Sequence, residues 1–530
     1  MPQEVCVNRQ ERGRGPVASA RMSPEPRSAS ADGVITLDPR RWWVLALCGL
    51  GQLMVVLDLT VVNIALPKAQ IALHFTNDDR QWIITSYGLA FGGLLLLGGR
   101  LSDRIGRKRT FMIGMTGFAL ASALGGAAQS FGMLAGARAV QGVFAALLSP
   151  ATLSLLTTTF PRPPERGKAF GIFSAVAGSG SAIGLLLGGV LTTYMSWRWC
   201  LYVNDVLAVA GLIGAALLLA RAESDPRVHV DDPGIVLAVA GLVSLVFGFS
   251  EAALDGWSAV ACVAPLVAAA VLLAAFVLVE RRAAHPVLPF GVILERSRGA
   301  SYLMILLLAI GMFGVFLFLV YYLEVIARYS AVRAGVAFIP LTVCVVMGSV
   351  LTNTRLLPRF GPKPLVAVAS LVGVAGMVYF AQLTLVTSYW SGILPAELMF
   401  GVPLGALFGI CFNLATAGTG PDTAGVASAL VTTGQQVGGS IGTSLLNTIA
   451  ISSASAYLVS HAGAGYLAQH AATISATHVW RAAQVHSYDV AFYVAAGIIF
   501  VAGLGAAIIY PAGKRSATVA DQTVARAASV

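Results

Sequence analysis

Hydrophobic positions in this chain gather into long runs broken by short polar gaps. Water-facing helices show a one-sided apolar stripe and half-buried strands an apolar–polar alternation. Here the runs stay apolar all round for about 20 residues, the length a helix needs to cross a bilayer. Fourteen segments meet that rule: 42–66, 80–100, 110–129, 134–157, 168–192, 201–220, 234–252, 258–280, 300–324, 333–352, 364–384, 392–415, 425–450 and 490–511. Backbone groups in lipid must find partners within their own segment, so each run is predicted as a helix. The fold class expected is all-α and integral to a membrane.

Composition agrees with the pattern. Of the 530 residues, 57% are hydrophobic and 11% charged, with a mean hydropathy of +0.79. Soluble domains carry roughly 25% charge. A net charge of +10 would suit nucleic acid, but the basic residues cluster in the gaps between runs, where lipid headgroups and insertion topology account for them. With the amino-terminal tail placed inside, 27 of the 34 Lys and Arg fall on the inner side and 6 on the outer, and Arg138 alone lies inside a run. Both termini are therefore expected in the cytoplasm, at the plasma membrane. Residues 1–40, rich in Arg, Ser and Pro, read as a disordered tail, as does 512–530. Cys6, Cys48, Cys200, Cys262, Cys344 and Cys411 have neither metal-ligand nor disulfide spacing.

The chain repeats itself. "RLSDRIGRKR" at 100–109 and "RLLPRFGPKP" at 355–364 share five of ten positions, and each follows the second span of its half. Two related halves are the trace of a transporter. The expected domains are a six-helix bundle over 41–222, a linker with two accessory spans over 223–298, and a second six-helix bundle over 299–511.

Gly99 to Arg109 packs five basic residues and one acid into eleven positions. Gly99 and Gly106 permit a tight turn, while Asp103 can bond a helix amino terminus or pair with a neighbouring arginine. This stretch resembles the loop signature of the major facilitator superfamily. "LAGARAVQGVFAA", Leu134 to Ala146, looks like its fourth-span motif, through Arg138, Gln141 and Gly142. "LDLTVVNIALP", Leu57 to Pro67, resembles the first-span signature of the fourteen-span drug:proton antiporter family, through Asp58, Thr60, Asn63 and Pro67. "WRWCLYVND", Trp197 to Asp205, is similar to that family's fifth-to-sixth junction, although Val206 stands where proline is usual. "GSGSAIGLLLGG", Gly178 to Gly189, resembles the antiporter motif of the fifth span, but Leu185 replaces its proline. Gly180, Gly184 and Gly188 recur every fourth position and serve either close helix packing or a gating hinge.

The resemblance implies a proton-driven exporter of amphipathic organic compounds, with drugs and antibiotics as its substrate class and protons as partner. It implies proton coupling by Asp58 and Arg138, and a gate formed by Gly99, Asp103, Arg104, Gly106, Arg107 and the three glycines of the fifth span. Asp58 lies seven residues after Gly51 and seven before Ala65, so small residues on its face let another helix or the cavity come close. A poorly solvated carboxylate there can load and release a proton. An Arg inside a span costs roughly 2.5–3.5 kcal/mol on insertion scales and needs a partner. Asn63, Glu324 within "FLFLVYYLEV", and Gln435 and Gln436 within "TGQQVGGSIG" are the candidate substrate contacts. Glu251, Asp255, Glu324, Arg328 and Asp489 lie at predicted outer boundaries and read as interfacial, with Glu324 the one that its neighbouring aromatics also make a candidate substrate contact. His461, His470, His478 and His486 fall in the outer gap before the last span without ligand spacing. No phosphate-binding loop and no HExxH occurs, so no nucleotide, cofactor or metal is expected and the protein is not expected to be an enzyme. A dedicated exporter of a single endogenous metabolite or self-made antibiotic would use the same machinery; a receptor has little reason to keep Asp58 and Arg138 in lipid.

Overall fold

The computed structural model describes residues 39–219, 232–254, 256–283, 288, 290–419, 423–462 and 478–510. The two expected tails up to residue 38 and from 511, the segment 220–231, Asp255 and His470 lie outside these residues. Among the described residues the structure is all helix, without a strand. The helices are α1 (Arg41–Leu73), α2 (Asn77–Ile105), α3 (Arg107–Gly126), α4 (Phe131–Thr159), α5 (Pro163–Tyr194), α6 (Trp199–Leu218), α7 (Asp232–Leu254) and α8 (Val260–Glu280). After the short α9 (Phe290–Ile293) come α10 (Arg296–Tyr321), α11 (Ala331–Ala337), α12 (Ile339–Leu351), α13 (Leu357–Phe360), α14 (Pro362–Phe380), α15 (Leu394–Ala415), α16 (Ala424–Ala462) and α17 (His478–Ile509). π-helical turns at Tyr322–Ile326, Thr352–Leu356 and Tyr389–Ile393 extend α10, join α12 to α13, and open α15.

Eleven of these helical segments are long and apolar enough to cross a membrane. The three long helices outside that set are α3, α5 and α16, whose runs are diluted by Gly, Ser, Thr and, in α16, Gln. Small and polar residues lower hydropathy while allowing close approach to neighbouring helices. Several helices also outrun the apolar segments predicted for them. α16 continues to Ala462 and α17 starts at His478, so the described ends of the outer gap expected between the last two spans are helical and carry His461, His478 and His486. Residues 451–462 contain little that breaks a helix, and hydropathy does not register a helix that leaves the membrane. α1 likewise runs through Pro67 to Leu73 and stops at His74, at φ 54°.

Helices of the first half pack on one another as α2 on α4, α3 on α4 and α6, and α1 on α4, α5 and α6. In the second half α12 and α14 pack on α15, and α10, α14 and α16 surround α17. α2 meets α16 and α5 meets α11, α12 and α15, which joins the halves. α7 and α8 pair with each other, and α7 lies along both α2 and α16. A Cβ on Gly93 would come within 2.3 Å of Val243, and Thr85 and Ser250 share a 3.0 Å hydrogen bond. The repeat is visible in the backbone too. Gly106, between α2 and α3, has φ 93°, and Gly361, at the matching position between α13 and α14, has φ 77°. Only glycine adopts such angles without strain, so both copies turn the chain the same way.

Candidate functional site

A cluster of polar side chains is sealed inside the first half. Asp58 on α1 is fully buried and Arg138 on α4 is 2% exposed. They form a charge-assisted bond from Arg138 Nη1 to Asp58 Oδ2. The other carboxylate oxygen, Oδ1, accepts from Asn204 Nδ2 of α6 at 2.8 Å and from Gln141 Nε2 at 3.2 Å. Gln141, one turn after Arg138, also accepts from Arg138 at 2.9 Å and donates to Ser122 of α3 at 2.5 Å. The guanidinium lies 4.3 Å from the Tyr87 ring centre of α2, a cation–π contact. Five helices thus contribute to neutralising one ion pair, which a buried pair requires to repay its desolvation.

The cavity lies elsewhere. Between the halves is an empty volume of about 880 Å³, part of it open to solvent, with Phe91, Phe313, Phe316, Phe408 and Phe412 among its walls and Gln52, Gln435 and Gln436 as its amides. Val55, Val56, Leu59 and Thr60 bring α1 to this space. Asp58 falls on another face of the same helix, turned to α4 and α6. Of the two partners expected to approach its small-residue face, it is another helix that does: a Cβ on Gly51 would lie 2.9 Å from Thr152 of α4. Thr60, whose hydroxyl bonds the Leu57 carbonyl at 3.0 Å, does not join the ion pair.

The candidate substrate contacts divide. Gln435 and Gln436 line the cavity, whereas Asn63 and Glu324 are exposed and lie away from it. α1 turns Asn63 outward one turn beyond Thr60, and the π turn at Tyr322–Ile326 leaves Glu324 on the surface beside exposed Arg328. Glu251 and Asp489 are partly buried.

At the end of the molecule that carries the α2–α3 turn, the halves touch. Asp103 Oδ1 accepts a 3.1 Å bond from the Gly425 amide in the first turn of α16, where the helix dipole favours an anion. Gly99 is not a turn residue; it sits inside α2, where a Cβ would lie 2.7 Å from the Gly425 carbonyl. The turn itself belongs to Gly106. Arg107 Nε donates to Ser154 of α4 at 2.8 Å, and Arg104 points outward, exposed. Across the same end Arg166 of α5 donates to the Thr416 hydroxyl at 2.8 Å. The glycines of α5 press on α1: a Cβ at Gly180 would meet Val56 at 2.7 Å, at Gly184 Thr60 Oγ1 at 1.9 Å, and at Gly188 Ile64 at 3.2 Å. α5 is unbroken there, with Leu185 packed against the core.

This arrangement coincides with similarity along most of the chain. Residues 48–443 match the sequence profile of the Major Facilitator Superfamily. The chain belongs to that superfamily. It is a transporter, and its relatives include antibiotic resistance and export proteins. It is 48% identical to the puromycin resistance protein of Streptomyces alboniger, over 88% of this chain and 90% of that one. Identity to the cephamycin export protein of Amycolatopsis lactamdurans is 36%, covering 83% and 92%. The tetracenomycin C resistance and export protein of Streptomyces glaucescens is 33% identical, covering 80% and 79%. The crystal structure of the human organic anion transporter MFSD10 superposes with a TM-score of 0.57 at 14% identity, over 88% of this chain and all of that one, which shows the shared fold.

Several residues of this superfamily member escape sequence reasoning. Asn204 stands inside the Trp197–Asp205 motif, and its polarity within an apolar run is the one available hint. Tyr87, Ser122 and Gln52 look like ordinary span residues. Their roles depend on which faces α2, α3 and α1 turn to one another.

Proposed function

We propose that the protein is a proton-driven exporter of amphipathic organic compounds, working by alternating access in the plasma membrane. The observation that carries this reading is the combination on α1 of a cavity-lining face and, on another face, a buried carboxylate paired with Arg138. Protonation of Asp58 would cancel one charge of the pair and leave the guanidinium held by Gln141 and Tyr87. α1 would then be free to change its seat against α4 and α6, and with it the cavity wall. Asp103 and Gly99, joined to the start of α16, act as the gate at the cytoplasmic end, with Gly106, Arg104 and Arg107 shaping that loop. Gly180, Gly184 and Gly188 form the seam along which α1 and α5 move.

Fourteen spans complete this reading. α3, α5 and α16 join the eleven apolar segments, giving two six-helix bundles with α7 and α8 as accessory helices between them. An even count keeps both termini in the cytoplasm, as the distribution of Lys and Arg favours. The cavity holds aromatic faces and amide groups, which suit an organic molecule with a flat apolar body and a few polar groups. The test is proton release from everted vesicles on adding puromycin, a cephamycin or tetracenomycin C. Release with one or more of these supports antiport, and its absence with every transported compound contradicts it.

A second reading, a dedicated exporter of one self-made antibiotic, is favoured by the names of the relatives, which each carry one compound. Growth inhibition across a diverse toxin panel separates the two: protection against a single structural class supports the dedicated exporter.

A further inference from the structure

A second carboxylate is buried in the other half of the molecule, and the proton coupling proposed above does not use it. Glu397, in the first turn of α15, is fully buried. No Lys, Arg or His reaches ion-pair distance of it among the described residues. Its Oε1 has no hydrogen-bond partner, and its Oε2 lies 3.2 Å from the Tyr389 hydroxyl. That hydroxyl is also 2.9 Å from the Ala337 carbonyl oxygen, which can only accept.

Counting protons decides between the charge states. A phenol has one proton to donate, and an ionised carboxylate and a carbonyl are both acceptors. Were Glu397 ionised, one phenol proton would face two acceptors, and a charged oxygen would stay buried without a partner, a costly arrangement. Were it neutral, the carboxyl proton would go to the Tyr389 oxygen and the phenol proton to Ala337. Both contacts are then complete hydrogen bonds.

The chain of bonds ends at a mechanically important place. Ala337 closes α11, and Phe338 forms the bend into α12. Two residues earlier, Gly335 faces the other half of the protein, where a Cβ would lie 3.0 Å from the Leu186 backbone nitrogen of α5. Phe338 stacks on Phe316, a cavity wall, with centroids 5.4 Å apart and planes 8° from parallel. The bend therefore touches the cavity on one side and the opposite half on the other.

We propose that Glu397 is a second proton-binding site of this transporter, whose proton fastens α15 through Tyr389 to the bend between α11 and α12. When α11 leaves α5, water reaches the carboxyl and accepts its proton. The phenol proton then turns from Ala337 to the carboxylate, and the bend is released. Other titratable groups near the site are Cys344 from α12, Tyr379 from α14, whose hydroxyl donates to the Ser391 carbonyl, and Tyr329, whose ring lies beneath the Arg333 guanidinium at 3.9 Å. The acidic and basic side chains described on α5 (Glu165, Arg166, Lys168) and on α10 (Arg296, Arg298) lie in the first turns of those helices, and Arg166 bonds Thr416 beyond the opposite end of α15 from Glu397.

The test uses the purified full chain in detergent and needs no substrate. Infrared spectra of the wild type at neutral pH are expected to contain a carboxylic-acid carbonyl band that Glu397→Gln loses. Loss from the carboxylate region instead, or no change, overturns the proposal. Hydrogen exchange of peptides covering residues 331–338, corrected for intrinsic chemistry, is expected to rise with pH in the wild type and stay flat in Glu397→Gln. An equal rise in both overturns the coupling to the bend. If Glu397→Gln does not fold, Tyr389→Phe is expected to shift the acid band and to raise exchange of 331–338 at every pH; an unchanged band and unchanged exchange overturn the proposal. Neither readout depends on transport, so failure here leaves the proposed export function to its own test.

Discussion

Asp58 is legible as an anomaly in the sequence itself, because a carboxylate inside an apolar run must be paired or functional. Arg138 is legible for the same reason. That the two meet, and that Asn204, Gln141, Ser122 and Tyr87 enclose them, depends on helix rotation, which no stretch of the sequence specifies. Asn63 and Glu324 show the converse: both look chemically suited to a cavity, yet α1 and a π turn direct them outward. The bond from Asn204 to Asp58 gives a residue-level prediction. Asn204→Ala removes one donor from a buried carboxylate, which costs roughly 1–3 kcal/mol. Detergent-solubilised variant should unfold at a lower temperature than wild type, and an unchanged melting temperature would show that Asn204 carries no part of the pair. Gly106, at φ 93°, gives another. Gly106→Ala forces a side chain into backbone angles, φ 93° and ψ 140°, that are essentially reserved for glycine, at a cost of about 1–3 kcal/mol, so slower transport at equal expression is expected. Wild-type rates in that variant would show that the α2–α3 turn tolerates another shape.

Glycines carry most of the information at the scale of elements, and their purpose is ambiguous from sequence. The fourth-residue spacing along α5 predicts close approach to another helix, and α1 is the helix found there. The same spacing would suit a hinge, but α5 stays regular through Leu185. Gly184→Val therefore should behave as overpacking, costing about 1–3 kcal/mol, through collision with Thr60. Pairing it with Thr60→Ala should restore part of the lost expression, and no recovery would place the clash elsewhere. Gly99 is legible as a small residue but not as a contact, since its partner Gly425 lies 326 positions away in the chain. Asp103→Asn keeps the hydrogen bond from the Gly425 amide and removes the charge that favours the helix dipole. It should slow conformational exchange while leaving substrate affinity nearly intact; single-turnover efflux and equilibrium binding of puromycin read the two separately. Equal loss in both would move Asp103 from the gate to the binding site.

For the whole molecule, hydropathy reads the all-helical class and places each predicted run mainly on helix, because lipid leaves the backbone no other option. It reads length less well. α16 and α17 project beyond their apolar portions, and α3, α5 and α16 are too polar for a composition rule while still packing against their neighbours. The ten-residue repeat forecasts the matching glycine turns at 106 and 361, the clearest internal symmetry in the backbone. The account as a whole stands on proton coupling through Asp58, and reconstituted vesicles with an acid interior, from which protons flow outward, test it most directly. With puromycin as the probe, the wild type should accumulate it uphill, while Asp58→Asn, which mimics the protonated acid, should fold and allow downhill exchange without uphill accumulation. Uphill accumulation by Asp58→Asn at the wild-type rate, with the same proton movement, would contradict the account.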